Sequence, residues 1–383
     1  MKILIGADLV PTNSNEILFN NGDSVALVGE ELHNLLKEAD YRIFNLEVPL
    51  TDVDSPIEKC GPNLIAPSAT ITGIKAIGAD LLTLANNHIM DQGGQGLFST
   101  IQTLQENGIA YVGAGEDLQT APKPFILEQG GRRIGVYACA EHEFSIANKT
   151  TPGANPFDLL ESLDHIAELK QQTDYVIVLH HGGKEHYRYP SPNLQKVCRK
   201  MVEKGADLVV CQHSHCVGCQ EQWQGGTIVY GQGNFLFDYS ESEFWQTSLL
   251  IELSVEEDVM LTYHPLKKRG NAVRFAQGEE AEEILYAFHN RSAEMQEEGA
   301  LERKFHAFSE EMFWNYIGAF HGKRTKKLWF RIINKLSGYR FAKWYLSLQY
   351  DRQSLMKIQN YVECEAHKEV LLSSMKEHIK RIF

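Results

Sequence analysis

Five short apolar runs between Lys2 and Gln212 each stop on residues that ligate metals or move protons, and this repeated ending constrains the fold more than any other feature. Lys2–Ile–Leu–Ile–Gly–Ala–Asp8 ends in a carboxylate, and Tyr41–Arg–Ile–Phe–Asn–Leu–Glu47 ends in Asn45 and Glu47. Ala79–Ala85 runs into Asn86–Asn87–His88–Ile–Met–Asp91, after which Gly93, Gly94 and Gly96 open a helix-like stretch, Leu97–Glu106. Asp174–Tyr–Val–Ile–Val–Leu ends in His180–His181, and Asp207–Leu–Val–Val–Cys–Gln ends in His213–Ser–His215. The last motif puts two imidazoles on one side of an extended backbone. Runs of this length and composition are strands, and open α/β sheets place ligands at the carboxyl ends of their strands.

The residue types at these ends share one chemistry. Asn87 can lend a carbonyl oxygen to a metal, His88 can donate a proton to a leaving group, and Asp91 can fix the tautomer of that imidazole. Alone, Asn-Asn-His reads first as a turn whose side chains cap the next helix. Five such endings in succession favour the shared site. An Asp, a Glu, an Asn and three or four His, with no obligatory Cys, suit one or two divalent ions of Mn, Fe or Zn.

The order Asp, Glu, Asn-His, His, His-x-His resembles the metallophosphoesterase (calcineurin-like) pattern in its CapA-family form, associated with capsule and poly-γ-glutamate synthesis. The motifs are Asn45–Glu47, Asn86–Gly93, His181–Glu185, His213–His215 and Gly233–Asp238, and the resemblance covers residues 1 to about 255. It implies a four-layer αββα sandwich with a C-terminal helical extension. It also implies a two-metal centre, with Glu47 bridging, Asp8 and His215 serving one ion, and Asn87, His181 and His213 the other. His88 would be the acid for the leaving oxygen, oriented by Asp91. His181 is preferred to His180 because Glu185 then falls where the family's Glu stands. Two positions depart from the pattern: Val10 replaces a first-strand ligand, and Gln212 stands where phosphoesterases have Gly.

Substrate contacts are expected from Asn45 and Asn234, and from the loop Lys184–Glu185–His186–Tyr187–Arg188, whose cations Lys184 and Arg188 can meet an anion. The Gly/Pro-rich stretch Lys59–Leu64 has the composition of a rim loop near the mouth, and reads first as a mere connection and second as such a rim. Seven Cys show no disulfide framework, and Cys216–Val–Gly–Cys219 reads as ordinary thiols, with a local metal contact as the alternative. The opening Met1–Asp8 has neither a signal-peptide nor a spanning pattern, so a cytoplasmic protein is expected.

Charge is unevenly divided. Residues 301–383 carry 16 Lys+Arg against 8 Asp+Glu, leaving 21 against 42 for the rest. The acidic portion argues against nucleic acid as a partner. Two regions are expected: a catalytic domain over 1–270, closed by strands Trp245–Val255 and Val259–Pro265, and a basic helical extension over 279–383 broken at Gly299, Gly322 and Gly338. In the extension Trp329, Ile332, Ile333 and Leu336 have helical spacing beside Lys326, Lys327, Arg331 and Lys335. That stripe reads first as a face packed on the catalytic domain, and second as a peripheral membrane or partner contact. The expected activity is metal-assisted hydrolysis of an anionic small-molecule or polymer substrate, a phosphoester foremost, in capsule or cell-envelope metabolism. Two other readings remain open: a non-catalytic assembly factor that binds an anionic polymer, and an amide or peptide hydrolase.

Overall fold

The computed structural model describes residues 1–237, 240–256, 259–320, 327–363 and 375. Two compact units divide the chain, Met1–Glu302 and Arg303–Phe383. The first is an α/β sandwich built on two sheets. In one sheet the order runs Ala272–Phe275, Val259–Arg269, Thr247–Val255, Lys2–Leu9, Tyr41–Leu46, Leu81–Thr83, Ala110–Val112. In the other it runs Val217–Trp223, Gly226–Gln232, Leu208–Gln212, Tyr175–His181, Arg132–Ala140, Phe125–Gln129.

Alternation along the strands sets the layers. Ile177, Leu179, Val210 and Val229 lie in one buried core with Ile5, Ile43 and Leu82 of the facing sheet. Their neighbours Val176, Val178, Val209 and Ile228 point the other way, onto Ile166 and Leu169 of helix Ser162–Gln172 and Cys198 and Met201 of helix Pro192–Glu203. Helices Glu30–Glu38 and Gly93–Glu106 bury Leu32, Leu36, Leu97 and Leu104 in the larger core that includes the first sheet. The result is four layers, αββα, as expected.

The central strands of both sheets are parallel. All their carboxyl ends therefore open at the same end of their sheet, and each motif of the sequence lies at or just past one of them. Asn234–Leu236 ties the two sheets there, since it follows strand Gly226–Gln232 of the second sheet yet pairs with Asp8 and Leu9 of the first. Gly233 permits the crossing: its φ is 79°, and an added Cβ would sit 2.6 Å from Thr247 O.

The hairpin of Thr247–Val255 and Val259–Arg269 closes the first sheet, with a short 3₁₀ turn at Glu243–Trp245 where a strand start was expected. The expected boundary at 270–279 moves to Glu302. Helix Glu279–Glu294 belongs to the first unit because Ile284 and Phe288 are buried in its core, and Ser292 Oγ accepts from Gln220 N of the edge strand Val217–Trp223. Arg291 donates to Gly218 O and Val217 O of that same strand. The helix thus covers a sheet edge that would otherwise be free to pair.

The second unit contains helices Leu328–Leu336, Arg340–Gln349 and Arg352–Glu363, and helix Ala300–Phe320 runs into it. Gly338, with φ 58°, breaks the helical run as expected. Phe330 packs against Phe341 and Tyr345, with ring centroids 5.1 and 5.3 Å apart, and joins the two helices into a hairpin. Gly322, Lys326 and Asp238 lie outside the described residues.

Candidate metal centre

Asp8, Glu47, His181, His213 and His215 come together at the shared strand ends, all buried. They form two groups that share one carboxylate: Glu47 with His181 and His213, and Asp8 and Glu47 with His215. Asn87 joins the first, its Oδ1 lying 3.0 Å from His181 Nε2. The same nitrogen is 3.1 Å from His213 Nδ1 and 3.3 Å from Glu47 Oε1, and His215 Nδ1 is 3.3 Å from Asp8 Oδ2. Adjacent ligands of an ion with bonds near 2.1 Å stand about 3.0–3.4 Å apart, so the spacing fits a divalent cation.

A second observation points the same way. Among the described residues, Asp8 Oδ2 and both carboxylate oxygens of Glu47 are buried with no hydrogen-bond partner. Buried carboxylate oxygens are costly without a partner, and a bound cation supplies one. The electrostatics show the crowding. Burial and neighbouring Glu47 raise the Asp8 carboxyl, whereas Glu47 is held low, against its own burial, by His181 and His215. Burial and His181 push His213 well below the usual imidazole range. Burial would lower His215 too, but Asp8 and Glu47 lift it to about 9.

The backbone is bent to deliver these rings. His213 and His215 have φ of 87° and 53°, conformations that side chains rarely adopt. Gln212, the residue in place of a family Gly, anchors the bend: its Nε2 donates to Gly6 O at 3.2 Å and Gln232 Oε1 at 3.3 Å, linking the two sheets. Val10 is fully buried among apolar residues and offers no ligand. His180, the alternative to His181, points to the opposite face of its strand, with Nδ1 3.5 Å from Cys139 Sγ and its ring edge-on to Phe157. It cannot fill the gap left by Val10.

Beside the cluster, His88 Nδ1 lies 2.6 Å from Asp91 Oδ2, which also accepts from Leu64 N at 2.6 Å. The loop around it is set by Asn86, whose Oδ1 accepts from His88 N and Ile89 N. Lys59, read from sequence as part of a mere connection, reaches into this group. Its Nζ donates to Asp91 Oδ1 and lies 3.2 Å from His88 Nδ1, with its side chain only 3 % exposed. Glu143 and Ser145 are further participants that sequence reasoning missed: Glu143 accepts from Asn87 Nδ2, and Ser145 Oγ donates to Asn87 O.

The expected substrate contacts fare differently. Asn45 is fully buried and committed to Asp8, His181, Thr83 and Asn86, so its amide ties candidate ligands together instead of facing the opening. Asn234 is likewise buried, with Oδ1 2.8 Å from His215 Nδ1. Arg188 is held by Val217 O and Glu243 and lies over the Phe244 ring, so it does not reach for an anion at the cluster. Lys184 and Glu185 are half-buried on the loop after His181. That loop instead brings His186, with its ring centroid 6.2 Å from His215, to a rim completed by Trp245, whose Nε1 donates to His186 Nε2. Cys216 and Cys219 are buried, and among the described residues neither metal-type group contains a Cys.

Comparison with known proteins places the chain. Residues 5–239 match the family described as bacterial capsule synthesis protein PGA_cap. The capsule biosynthesis protein CapA of Bacillus anthracis is 31% identical over 247 residues, 62% of this chain and 57% of that protein. The PGA biosynthesis protein CapA of Bacillus subtilis (strain 168) is 29% identical over 245 residues, 62% of this chain and 60% of that protein. The aligned part thus spans under two thirds of these relatives' length. Among solved structures, a 5'-nucleotidase precursor from Thermus thermophilus aligns with a TM-score of 0.41 at 14% identity, covering 77% of this chain and 60% of its own. With the family match covering more than half of its length, the chain belongs to the bacterial capsule synthesis protein family.

Proposed function

We infer that this protein is a metal-dependent hydrolase of an anionic ester, foremost a phosphoester, that acts in capsule or poly-γ-glutamate metabolism. The observation that carries the reading is the set of donorless carboxylate oxygens on Asp8 and Glu47, facing imidazoles at coordination spacing. Asn87, His181, His213 and Glu47 would hold one divalent ion, and Asp8, Glu47 and His215 a second. Ions bound there supply Lewis acidity and an acidified water. Two divalent charges against two carboxylates leave the centre cationic, which favours an anionic electrophile over a neutral amide.

The remaining roles fall to this chain's own groups. Asp91 takes up His88 Nδ1, so Nε2 is the ring nitrogen left to donate a proton to a leaving oxygen. Lys59 neutralises Asp91 and keeps it in place. Asn45, tied to both Asp8 and His181, fixes the spacing of the two metal sites. The names of the Bacillus relatives support the setting in capsule and PGA biosynthesis.

One observation favours an assembly role without turnover: Val10 leaves the Asp8 site a ligand short. Metal analysis of the purified protein, followed by a panel of phosphomonoesters and phosphodiesters with Mn, Fe and Zn, separates the two. Hydrolysis lost in His88→Asn supports the enzyme. A metal-loaded protein that hydrolyses none of the panel, yet binds acidic polymer, overturns it.

A further inference from the structure

Helix Leu328–Leu336 carries an apolar face that is left largely exposed among the described residues. Leu328, Trp329, Ile332, Ile333 and Leu336 are 71, 50, 49, 41 and 83 % exposed, whereas Phe330 turns inward to the neighbouring helix, where Phe341 also meets the edge of the half-exposed Trp329 ring. At 3.6 residues per turn the five exposed side chains cover an arc of about 140°. On helix Arg340–Gln349, Trp344 and Leu348 are also more than half exposed.

Cations border the arc. On the same helical wheel Lys335, Arg331 and Lys327 follow one another along its edge, and all three are exposed. The charge extends beyond them: from Lys327 up to Asp351 no Asp or Glu occurs, and Arg340 and Lys343 on the next helix are exposed too. A surface of this kind repels cations, and its apolar arc remains in water unless something covers it.

We propose that this helix docks in the interface of an anionic lipid bilayer, with Leu328, Trp329, Ile332, Ile333 and Leu336 entering the acyl boundary and the flanking cations meeting lipid phosphates. Both halves of the surface decide the occupant. An acidic soluble polymer would satisfy the cations but leave the arc in water, whereas a neutral apolar groove would leave the cations unanswered. An anionic membrane answers both. The nine-residue helix is about 14 Å long, which suits lying on a membrane rather than crossing it. Among the described residues no helix is long and apolar enough to cross. The catalytic unit would thereby work beside the surface where envelope polymers are made.

The test is co-sedimentation of the full chain with vesicles of phosphatidylcholine alone, and with vesicles that also contain phosphatidylglycerol. Binding should require the anionic lipid. Arg331→Gln with Lys335→Gln should lower the partition coefficient about 25-fold, since each surface cation contributes about fivefold. Ile332→Gln with Leu336→Gln should lower it by at least about tenfold. All four side chains are exposed, so both variants keep the fold, which circular dichroism checks. Equal partition to the two vesicle types, or no loss in either variant, overturns the proposal. Capture of soluble polyglutamate in place of vesicles, or self-association abolished by Ile332→Gln with Leu336→Gln, would overturn it in favour of a polymer or a second copy. None of these readouts depends on the metal centre.

Discussion

Replacing Lys59 by Met removes one charge from a buried pair while keeping the stem that packs around it. The Lys59 side chain is 3 % exposed and its partner Asp91 is 0 % exposed. Exposed ion pairs contribute about 0–1 kcal/mol, but stranding one member of a buried pair costs about 3–5 kcal/mol. Asp91 Oδ2 would keep His88 Nδ1 and Leu64 N, so only Oδ1 loses its donor. The cost should therefore sit near the lower bound, about 3 kcal/mol. For a unit of this size each kcal/mol moves the unfolding midpoint by roughly 2 °C, giving a fall of roughly 5–6 °C. Thermal unfolding in chelator reads the loss without interference from bound metal. Adding Asp91→Asn to Lys59→Met removes the stranded charge and should restore more than half of it. A single variant within about 1 kcal/mol of wild type, or a double variant no more stable than the single, would refute the reasoning. Either result would mean that water already screens the pair.

Added Mn or Zn at a hundredfold over Kd should raise the midpoint by roughly 5 °C, from about 2.7 kcal/mol of linkage, and Glu47→Gln should abolish the rise because both groups share that carboxylate. Calorimetric titration should give two separated steps or only one, with the Asp8 site the weaker, since Val10 and His180 supply nothing to it; two equally tight ions would contradict this. His88→Asn should retain metal but lower turnover by on the order of a hundredfold, most severely with poor leaving groups; loss of metal would assign His88 a structural role instead. His215, lifted to about 9 from an ordinary 6.5, lends the metal-free fold stability that is complete below about 6.5 and lost as pH rises through about 9. An entering ion must displace that proton, so affinity should climb about tenfold per pH unit up to about 9, and calorimetry in two buffers should detect its release.

What sequence could show follows from which physical signal each residue emits. The strands that carry Asp8 and His181, and those that end just before Glu47 and His213, are largely apolar runs because both faces are buried, and such runs announce themselves without an alignment. Where a run stops, the residue type is legible but its direction is not. Asn45 and Asn234 are expected to contact substrate, yet both are buried: the Asn45 amide is spent on its neighbours, and Asn234 Oδ1 on His215, while among the described residues Asn234 Nδ2 has no partner. His180 and His181 differ only in the face they occupy, which the period-2 alternation of the strand decides once its register is known. Lys59 emitted only a weak signal: the composition of its loop suits a rim, but a single cation there has no periodicity, and only the tertiary fold brings it to Asp91. The boundary at Glu302 was hidden for the opposite reason, because helix Glu279–Glu294 has an ordinary amphipathic pattern that does not say what it packs on.

Gln212 shows why a departure from a family pattern need not weaken a site. A Gly before His-x-His would relax the turn that sets both rings at positive φ, a conformation that costs about 1–3 kcal/mol for each. Here the turn is held from outside. Gln212 bonds to Gly6 O in the first sheet and to Gln232, which itself donates to Ile5 O and Leu249 O, so a small amide network spans the two sheets directly beneath the histidines. Val10 has no such compensation, for its buried side chain replaces a polar ligand with hydrocarbon and its amide is taken by Leu236 O. The two departures therefore act on different things: one stiffens the backbone that presents His213 and His215, the other removes a donor from the Asp8 site. A centre built in this way would hold one ion in a preorganised cage and the other by fewer bonds, so on the proposed reading the occupancy of the Asp8 site, more than the presence of metal as such, would separate hydrolysis from binding without turnover.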